Sequence, residues 1–153
     1  MYCNKMDQAI VFENENGLAS VNVMYVSKEV SIESLIETKI DKSKRYRVVN
    51  VSELPHADTN FFDAWKFGED LSIVIDMEKA RDIHRVNLRR LRIPLFQELD
   101  VQYMRALEMN DVQEMQRVVI QKQNLRDITK HPAISNAHST SELKALTLDA
   151  LLQ

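Results

Sequence analysis

The fold is decided by residues 76–128, which read DMEKARDIHRVNLRRLRIPLFQELDVQYMRALEMNDVQEMQRVVIQKQNLRDI. Asp76 is a residue type that caps helix N-termini, and Glu78 lies where an acid complements the helix dipole. Asn110-Asp111 offers a turn and a new N-cap. The stretch therefore predicts a pair of long amphipathic helices, and so short a connection makes them antiparallel neighbours.

Apolar residues in this stretch recur every three or four positions, which is the spacing of one helical face. Pro94 interrupts the first helix, and a kink or break is expected because proline removes a backbone donor and clashes with the preceding turn. The apolar stripe of the first helix is Ala80, Ile83, Leu88, Leu91, Leu95, Leu99, Met104 and Leu107. The stripe of the second is Val112, Met115, Val118, Val119, Leu125 and Ile128.

The preceding residues predict a small α+β unit. Ala9–Phe12 and Leu18–Tyr25 are rich in β-branched and aromatic residues, and Asn16-Gly17 between them predicts a β-hairpin. Alternation places Val21 and Val23 on one face of the second strand. The further predicted elements are a helix over Ile32–Ile40 capped by Ser31 and strands over Tyr46–Val51 and Leu71–Ile75.

A cluster of aromatic residues precedes the last predicted strand, namely Phe61, Phe62, Trp65 and Phe67. The first three share a face at helical spacing, which predicts a short helical turn. Two interpretations are open. The cluster is core that covers the small sheet, or it is an exposed anchor for a partner, because aromatic residues concentrate at interface hot spots.

The C-terminal part begins where the second long helix ends. Lys130-His131-Pro132 stops that helix, because the residue before proline is pushed out of the helical region. Ser139-Thr140-Ser141-Glu142 matches a capping box ahead of leucines at helical spacing, which predicts a short amphipathic helix. The predicted organisation is a small α+β domain over residues 1–75, an antiparallel helical hairpin kinked near Pro94 over residues 76–129, and a loop with a short helix over residues 130–153.

The composition is that of a soluble globular protein, with 153 residues of which 44% are hydrophobic and 28% charged. The apolar runs are much shorter than the roughly 20 residues of a membrane span, and the N-terminus lacks the pattern of a secretory signal. We therefore expect a cytoplasmic protein without a membrane partner. Cys3 is the one cysteine of the sequence, so neither a disulfide framework nor a thiolate metal cage is expected.

Residues that could carry chemistry are scattered along the sequence. Two glycines cannot build a phosphate-binding or dinucleotide-binding loop, and serine-nucleophile motifs are missing. The sequence therefore predicts a protein that is not an enzyme and has no catalytic residue, metal or cofactor. His84 is expected at the boundary of its helix, and His131 and His138 in a solvated loop. The histidines without metal-ligand spacing are His56, His84, His131 and His138.

A basic segment lies within a chain whose formal charge is -3, since residues 79–92 carry six basic side chains against one acid. We name the arginine stripe the set Arg81, Arg85, Arg89 and Arg92, whose spacing places it on one side of a helix. Three interpretations are open: a solvated face paired with acids such as Glu114, a docking face for an acidic protein, or a nucleic-acid contact. The negative net charge and the lack of interleaved aromatic residues weigh against nucleic acid.

The arginine stripe is the candidate partner-binding site. If it is a docking face, replacing Arg81, Arg85 and Arg89 with glutamate should leave the fold intact and abolish partner binding. Methionines near the predicted turn offer a second surface, which is either an adaptable contact or ordinary core filler. They are Met104, Met109 and Met115.

Several segments between Ile75 and Ile128, together with a hairpin and an aromatic stretch in the N-terminal half, resemble a group of small tailed-phage and prophage proteins. The N-terminal half fits the group's pattern with a hairpin, a Tyr46–Val49 segment and an aromatic stretch ending in Ala64-Trp65. Trp65 is the one tryptophan, so the tryptophan that many tail assembly chaperone modules carry near their Gln-x-Leu-Arg-Asp-Ile segment is absent. The segments that carry the resemblance are Ile75–Arg85, Arg92–Leu95, Leu99–Val101, Tyr103–Ala106 and Lys122–Ile128.

The resemblance implies a non-catalytic phage tail or tail-fibre accessory or assembly protein. It would bind a tail, tail-fibre or other virion protein in the host cytoplasm. The alternative is a structural component of the virion, in a tail or adaptor, which predicts symmetric copies and an exposed apolar edge on the helical hairpin. The second alternative is a small nucleic-acid-binding or regulatory protein that uses the arginine stripe. Assembly into a homo-oligomer also stays open.

Overall fold

The chain divides into two compact units, Met1–Asp76 and Met77–Gln153. The computed structural model describes residues 8–15, 17, 19–22 and 31–152. Within them, the first unit contains strands and a short α-helix, and the second unit is helical. The α+β fold class predicted from the sequence is confirmed.

A small antiparallel sheet in the order β2-β1-β3 forms the first unit, with strands at Gln8–Glu13 (β1), Ala19–Asn22 (β2) and Tyr46–Asn50 (β3). The pairing of β1 with β2 confirms the predicted β-hairpin. Gly17 in their connection has a φ of 72°, a conformation that glycine adopts without a steric penalty. The part of the predicted second strand beyond Asn22, which includes Val23, lies outside the described residues.

Both faces of β1 carry buried side chains, because a different apolar cluster packs on each of them. Ala9 and Val11 pack on one face with Val49, Leu54, Trp65 and Phe67. Ile10 packs on the other face with Ile40 and with the apolar side of α1 (Ile32–Lys39). Ser31 caps α1 as predicted, since its side chain accepts a hydrogen bond from the Ser34 N–H at 3.3 Å.

A second antiparallel pair joins β4 (Trp65–Phe67) to β5 (Ile73–Ile75). The predicted last strand started too early, because Leu71 has a φ of 61° and belongs to the turn before β5. The strand β4 was not predicted. The aromatic residues were expected on one helical turn, but a 3-10 segment over His56–Ala64 ends before Trp65.

Most of the aromatic cluster is core. Phe61, Trp65 and Phe67 are buried, while Phe62 is 37% exposed and has its ring centroid 5.0 Å from that of Trp65. The core interpretation therefore holds for every member except Phe62.

The second unit opens with the long helices that the sequence predicted, α2 (Met77–Leu91), α3 (Ile93–Glu108) and α4 (Val112–Asp127). The break expected at Pro94 falls at Arg92, and Pro94 occupies the first turn of α3, where its missing N–H has no intrahelical partner to lose. Across the break, the Arg92 N–H donates to the Leu88 carbonyl and the Phe96 N–H donates to the Arg92 carbonyl, both at 3.1 Å. The two helices thus form one bent helical region.

The C-terminal segment is more helical than predicted, with a 3-10 turn at Ile128–Lys130 followed by α5 (Pro132–Asn136), α6 (Thr140–Ala145) and α7 (Leu148–Leu151). Ser139 caps α6 as predicted. The segment after Lys130 was predicted to be a loop, but it contains α5. Pro132 follows the 3-10 turn at the end of α4 and occupies the first turn of α5. The single predicted terminal helix is also wrong, since the chain leaves helical geometry at Leu146.

Only part of the predicted apolar stripes is buried in the second unit. Among the described residues α2 packs against α3, α6 and the 3-10 turn, and α3 packs against α4. The buried side chains of the long helices are Ala80, His84, Leu88, Ala106, Val118 and Leu125. The stripe residues that lie exposed instead are Leu91, Met104, Leu107, Val112 and Val119.

Two leucines of α2 provide a test of this packing. Leu88 is 1% exposed and Leu91 is 53% exposed. Leu88→Ala should lower the free energy of unfolding by about 2–5 kcal/mol, because it removes buried methyl groups and leaves a cavity. Leu91→Ala should stay within about 0.5 kcal/mol of the wild type. Urea denaturation followed by circular dichroism measures both, and equal losses would contradict the orientation of α2.

Candidate protein-binding face of the helical hairpin

The turn between α3 and α4 is held by several backbone hydrogen bonds. Asn110 has a φ of 54°, its N–H donates to the Leu107 carbonyl at 3.1 Å, and the Asp111 N–H donates to the Ala106 carbonyl at 2.8 Å. This pair of bonds is the Schellman motif, which satisfies carbonyl groups left free at a helix end. Asp111 then caps α4 by accepting from the Glu114 N–H at 3.0 Å. The predicted turn and cap are confirmed.

The contact between α3 and α4 is held by small and charged groups as well as by apolar ones. Ala106 and Val118 are buried at 3% and 0% exposure. Lys122 has a side chain 13% exposed, and its Nζ lies 2.7 Å from the Asp100 carboxylate and 5.0 Å from the centre of the Tyr103 ring. The ammonium therefore crosses from α4 to two groups on α3, which fixes the two helices side by side.

An apolar surface lies on one side of this helix pair. A groove of about 430 Å³ between the helices is lined by Tyr103 of α3 and by side chains of α4 that are apolar except for Gln116. Leu107 lies one helical turn after Tyr103 on the same side of α3. Met104 lies three residues before Leu107 and is its neighbour on the helix surface. We name the hairpin face the set Tyr103, Met104, Leu107, Val112, Met115, Val119 and Ile120.

The exposure of the hairpin face follows from helical geometry. Adjacent residues in a helix point about 100° apart. Val118 is fully buried, so Val119 turns outward and is 50% exposed, and Ile120 is 60% exposed. Met104 and Leu107 are 53% and 46% exposed. Each helix thus carries apolar residues on a side that its partner helix does not cover, which is why the predicted stripes were too broad for one contact.

A contiguous apolar surface of this kind is typical of binding sites. Soluble monomers rarely keep large apolar side chains together in water without a partner that covers them. Met104 and Met115 add flexible, polarisable side chains that fit irregular surfaces. The interpretation of the methionines as contact residues applies to Met104, which is exposed, and to Met109 in the turn, which is 79% exposed. Met115 is partly buried.

The arginine stripe has a different environment from the free surface that was expected. The Arg81 guanidinium donates twice to the Ala137 carbonyl, at 2.8 and 3.2 Å. Arg85 donates to the Asp82 carboxylate at 2.8 Å and to the Ser135 hydroxyl at 3.1 Å. These residues hold the segment around α5 against α2. Ala137 and Ser135 could not be identified as partners from local spacing, because they lie 56 and 50 positions away along the chain.

Arg92, at the bend between α2 and α3, also serves the fold. Its Nη1 donates to the Leu125 carbonyl at 2.7 Å and to the Arg126 carbonyl at 3.0 Å, both in the last turn of α4. A cation at this position complements the negative end of the helix dipole. Arg89 is the exposed member of the stripe. The pairing with Glu114 that was considered is wrong, because Glu114 pairs with Arg117 at 2.6 Å.

His84 is a buried polar residue that the sequence interpretation placed at a boundary. It is 9% exposed, and its Nε2 lies 3.0 Å from the Leu146 carbonyl, to which it donates a proton. Burial lowers the pKa of His84 from its ordinary value, and the nearby Arg85 guanidinium lowers it further, against the effect of the Leu146 bond. The pattern that could have revealed its burial is its position one turn from both Ala80 and Leu88.

His131 and His138 lie on the surface of the second unit. His131 is exposed, and its Nδ1 accepts from the Ala133 N–H at 3.2 Å, which caps α5. His138 is exposed as well. Residues 8–15, 17, 19–22 and 31–152 contain no cluster of three or more His, Cys, Asp or Glu side chains suited to a metal ion. None of the helices in these residues combines the length and the hydrophobicity that a membrane span requires.

Comparison with known proteins yields no relative: no family model, curated protein or solved structure matches this chain. The candidate site therefore stands on its own geometry.

The arginine contacts predict that members of the stripe differ in their effect on stability. Arg81→Glu should lower the free energy of unfolding by about 1–3 kcal/mol, because it removes charge-assisted hydrogen bonds and sets a carboxylate near the Ala137 carbonyl. Arg89→Glu should change stability by less than about 0.5 kcal/mol, since Arg89 is exposed. Chemical denaturation compares them. Equal stability of the two variants would contradict the stabilising role of Arg81 and would indicate that its side chain is free in solvent.

His84 predicts a pH dependence of stability. Its pKa is lower in the folded chain than its ordinary value of 6.5, so the unfolded chain binds the proton more tightly. The contribution of neutral His84 to the free energy of unfolding is complete above about pH 6.5. It is lost as the pH falls below that value. Thermal unfolding of the wild type and of His84→Gln at several pH values tests this. The difference between them should be largest near neutral pH and shrink in acid; a constant difference would contradict it.

Proposed function

We propose that this protein is a non-catalytic phage tail or tail-fibre accessory or assembly protein that acts by binding other proteins through the hairpin face. The observation that carries the binding role is the apolar groove between α3 and α4 with its exposed rim, above all Val119 and Ile120. The phage assignment is supported by the resemblance of the segments from Ile75 to Ile128, several of which build this same hairpin.

The hairpin face is a better candidate than the arginine stripe for the docking surface. Arg81, Arg85 and Arg92 already donate to groups of their own unit. A guanidinium that leaves such partners for a protein or phosphate ligand exposes carbonyl oxygens without replacement bonds, which costs part of the binding free energy. The hairpin face, by contrast, loses only water when a partner covers it. The same argument disfavours the nucleic-acid alternative.

A structural component of the virion is the second candidate function. The observation that favours it is that both helices of the hairpin present an exposed apolar edge, as Leu107 and Val112 show at the turn with 46% and 58% exposure. Such an edge suits burial by neighbouring subunits in a particle. Purified particles separate the candidates, because a virion component is present in them in a fixed ratio and an assembly factor is absent.

A matched pair of substitutions tests the binding role. Val119→Asp should reduce co-purification of the protein with tail or tail-fibre proteins from phage-producing cells by at least about tenfold, because it places a charge in the apolar contact. Val86→Asp is the control, since Val86 is 57% exposed on α2 and lies outside the hairpin face. Circular dichroism checks that both variants are folded. Normal co-purification of a folded Val119→Asp variant would refute the proposed use of this face.

A further inference from the structure

The charges at the two ends of the hairpin face have opposite signs. At the turn, the exposed Glu108 and Asp111 form an acidic end. About three turns away along α3, the guanidinium groups of Arg92 and Arg126 each lie 5.7 Å from the centre of the Phe96 ring and form a basic end. In the middle, Asp100 and Lys122 neutralise each other.

The dimensions of the face suit a surface of the same size and shape. Each of α3 and α4 has 16 residues, so the hairpin is about 24 Å long, and two packed helices are about 20 Å wide. The projected area is on the order of 500 Å², and a surface corrugated by side chains has a larger accessible area. A stable interface buries about 800 Å² on each partner. The two areas are of the same order, so a dimer at this face uses it over its whole length.

We propose that the hairpin face binds the hairpin face of a second copy of this chain, with the two hairpins antiparallel. The twofold axis is perpendicular to the helices, so each turn lies against the other copy's basic end. Glu108 of one copy then faces Arg126 of the other, and this contact occurs twice. The four helices form an antiparallel bundle whose centre contains the paired apolar grooves.

The charge pattern selects this arrangement over its alternatives. Two hairpins with their turns together would place Glu108 beside Glu108 and Arg126 beside Arg126, and like charges in contact disfavour association. An unrelated partner would need both an apolar centre and the reverse order of charged ends. A second copy has both by symmetry.

This inference rests on the proposed function and names the partner at the same face. A tail or tail-fibre protein that binds the hairpin face takes the place of the second copy, so the two associations compete for the same surface.

Sedimentation equilibrium of the full chain over a wide range of concentrations tests the dimer. The wild type and Val86→Asp should fit one monomer–dimer equilibrium with the same Kd, and Val119→Asp should raise the Kd at least about tenfold. Far-ultraviolet circular dichroism confirms that each variant is folded. A wild type that stays monomeric at every concentration overturns the inference, as does an equal effect of Val86→Asp and Val119→Asp.

Charge exchange tests the antiparallel arrangement. Glu108→Arg and Arg126→Glu should each weaken the dimer several-fold, and the chain carrying both substitutions should recover most of the affinity, because each new arginine again faces a carboxylate. Failure of the double variant to recover overturns the antiparallel pairing.

The outcomes also separate this inference from the proposed function. A monomeric wild type whose co-purification with tail proteins is lost in Val119→Asp overturns the dimer and leaves the proposed function standing. A dimeric wild type, with a monomeric Val119→Asp variant that still co-purifies normally, supports the dimer and overturns the proposed function of this face.

Discussion

The three-residue connection Met109–Asp111 is the constraint on which the second unit depends. Asn110 has a left-handed backbone conformation there. The Schellman hydrogen bonds end α3, and the Asp111 side chain caps the N-terminus of α4. Because the connection is so short, the 16-residue helices must return alongside each other. Lys122 then fixes their contact by reaching Asp100 and Tyr103.

The antiparallel pair of α3 and α4 has two sides, which differ in the residues that line their grooves. On one side, Leu152 of the C-terminal segment joins Leu95, Leu99 and Leu125 in lining a groove of about 410 Å³. The other side is the hairpin face, whose apolar groove no described residue fills beyond its own lining. The asymmetry follows from the position of the C-terminal segment, which α2 holds in place through Arg81 and His84. The exposed side is therefore the one available to another molecule.

Three basic residues in the second unit donate hydrogen bonds to backbone carbonyls. Arg92 donates to a carbonyl in the last turn of α4, Arg81 donates to the carbonyl at the end of α5, and His84 donates to the carbonyl at the end of α6. Helix ends leave carbonyl groups without intrahelical donors, and cationic side chains are suited to them both as donors and through the helix dipole. The basic segment of the sequence thus joins short helices to long ones. Its chemistry is that of a structural clamp within one unit.

The features that could be predicted from the sequence are those encoded locally. Ser31, Asp111 and Ser139 cap helices because a side-chain oxygen meets an N–H three residues ahead, and Pro94 marks the break because its effect is confined to one turn. These predictions are confirmed. They rest on distances of a few residues, which a single sequence displays directly.

The features that were missed depend on contacts between distant residues. β4 is a strand of three residues that exists through its pairing with β5, and the partners of Arg81 and Arg92 lie 56 and 33 positions away. Local spacing could not distinguish a free arginine from one that holds a carbonyl. The hairpin face was only partly anticipated, through Met104 and Met109, since a periodic stripe does not show which of its sides a neighbour covers.

The central claim is that α4 presents Val118 to its own fold and Val119 to a partner. Single cysteines at these adjacent positions, in a chain with Cys3→Ser, test it through their rates of reaction with a soluble thiol reagent. The account predicts that Val118→Cys is protected at every protein concentration, while Val119→Cys reacts quickly in dilute solution and becomes protected as the concentration rises. Equal protection of the two cysteines in dilute solution, or a Val119→Cys rate that is independent of concentration, would contradict it.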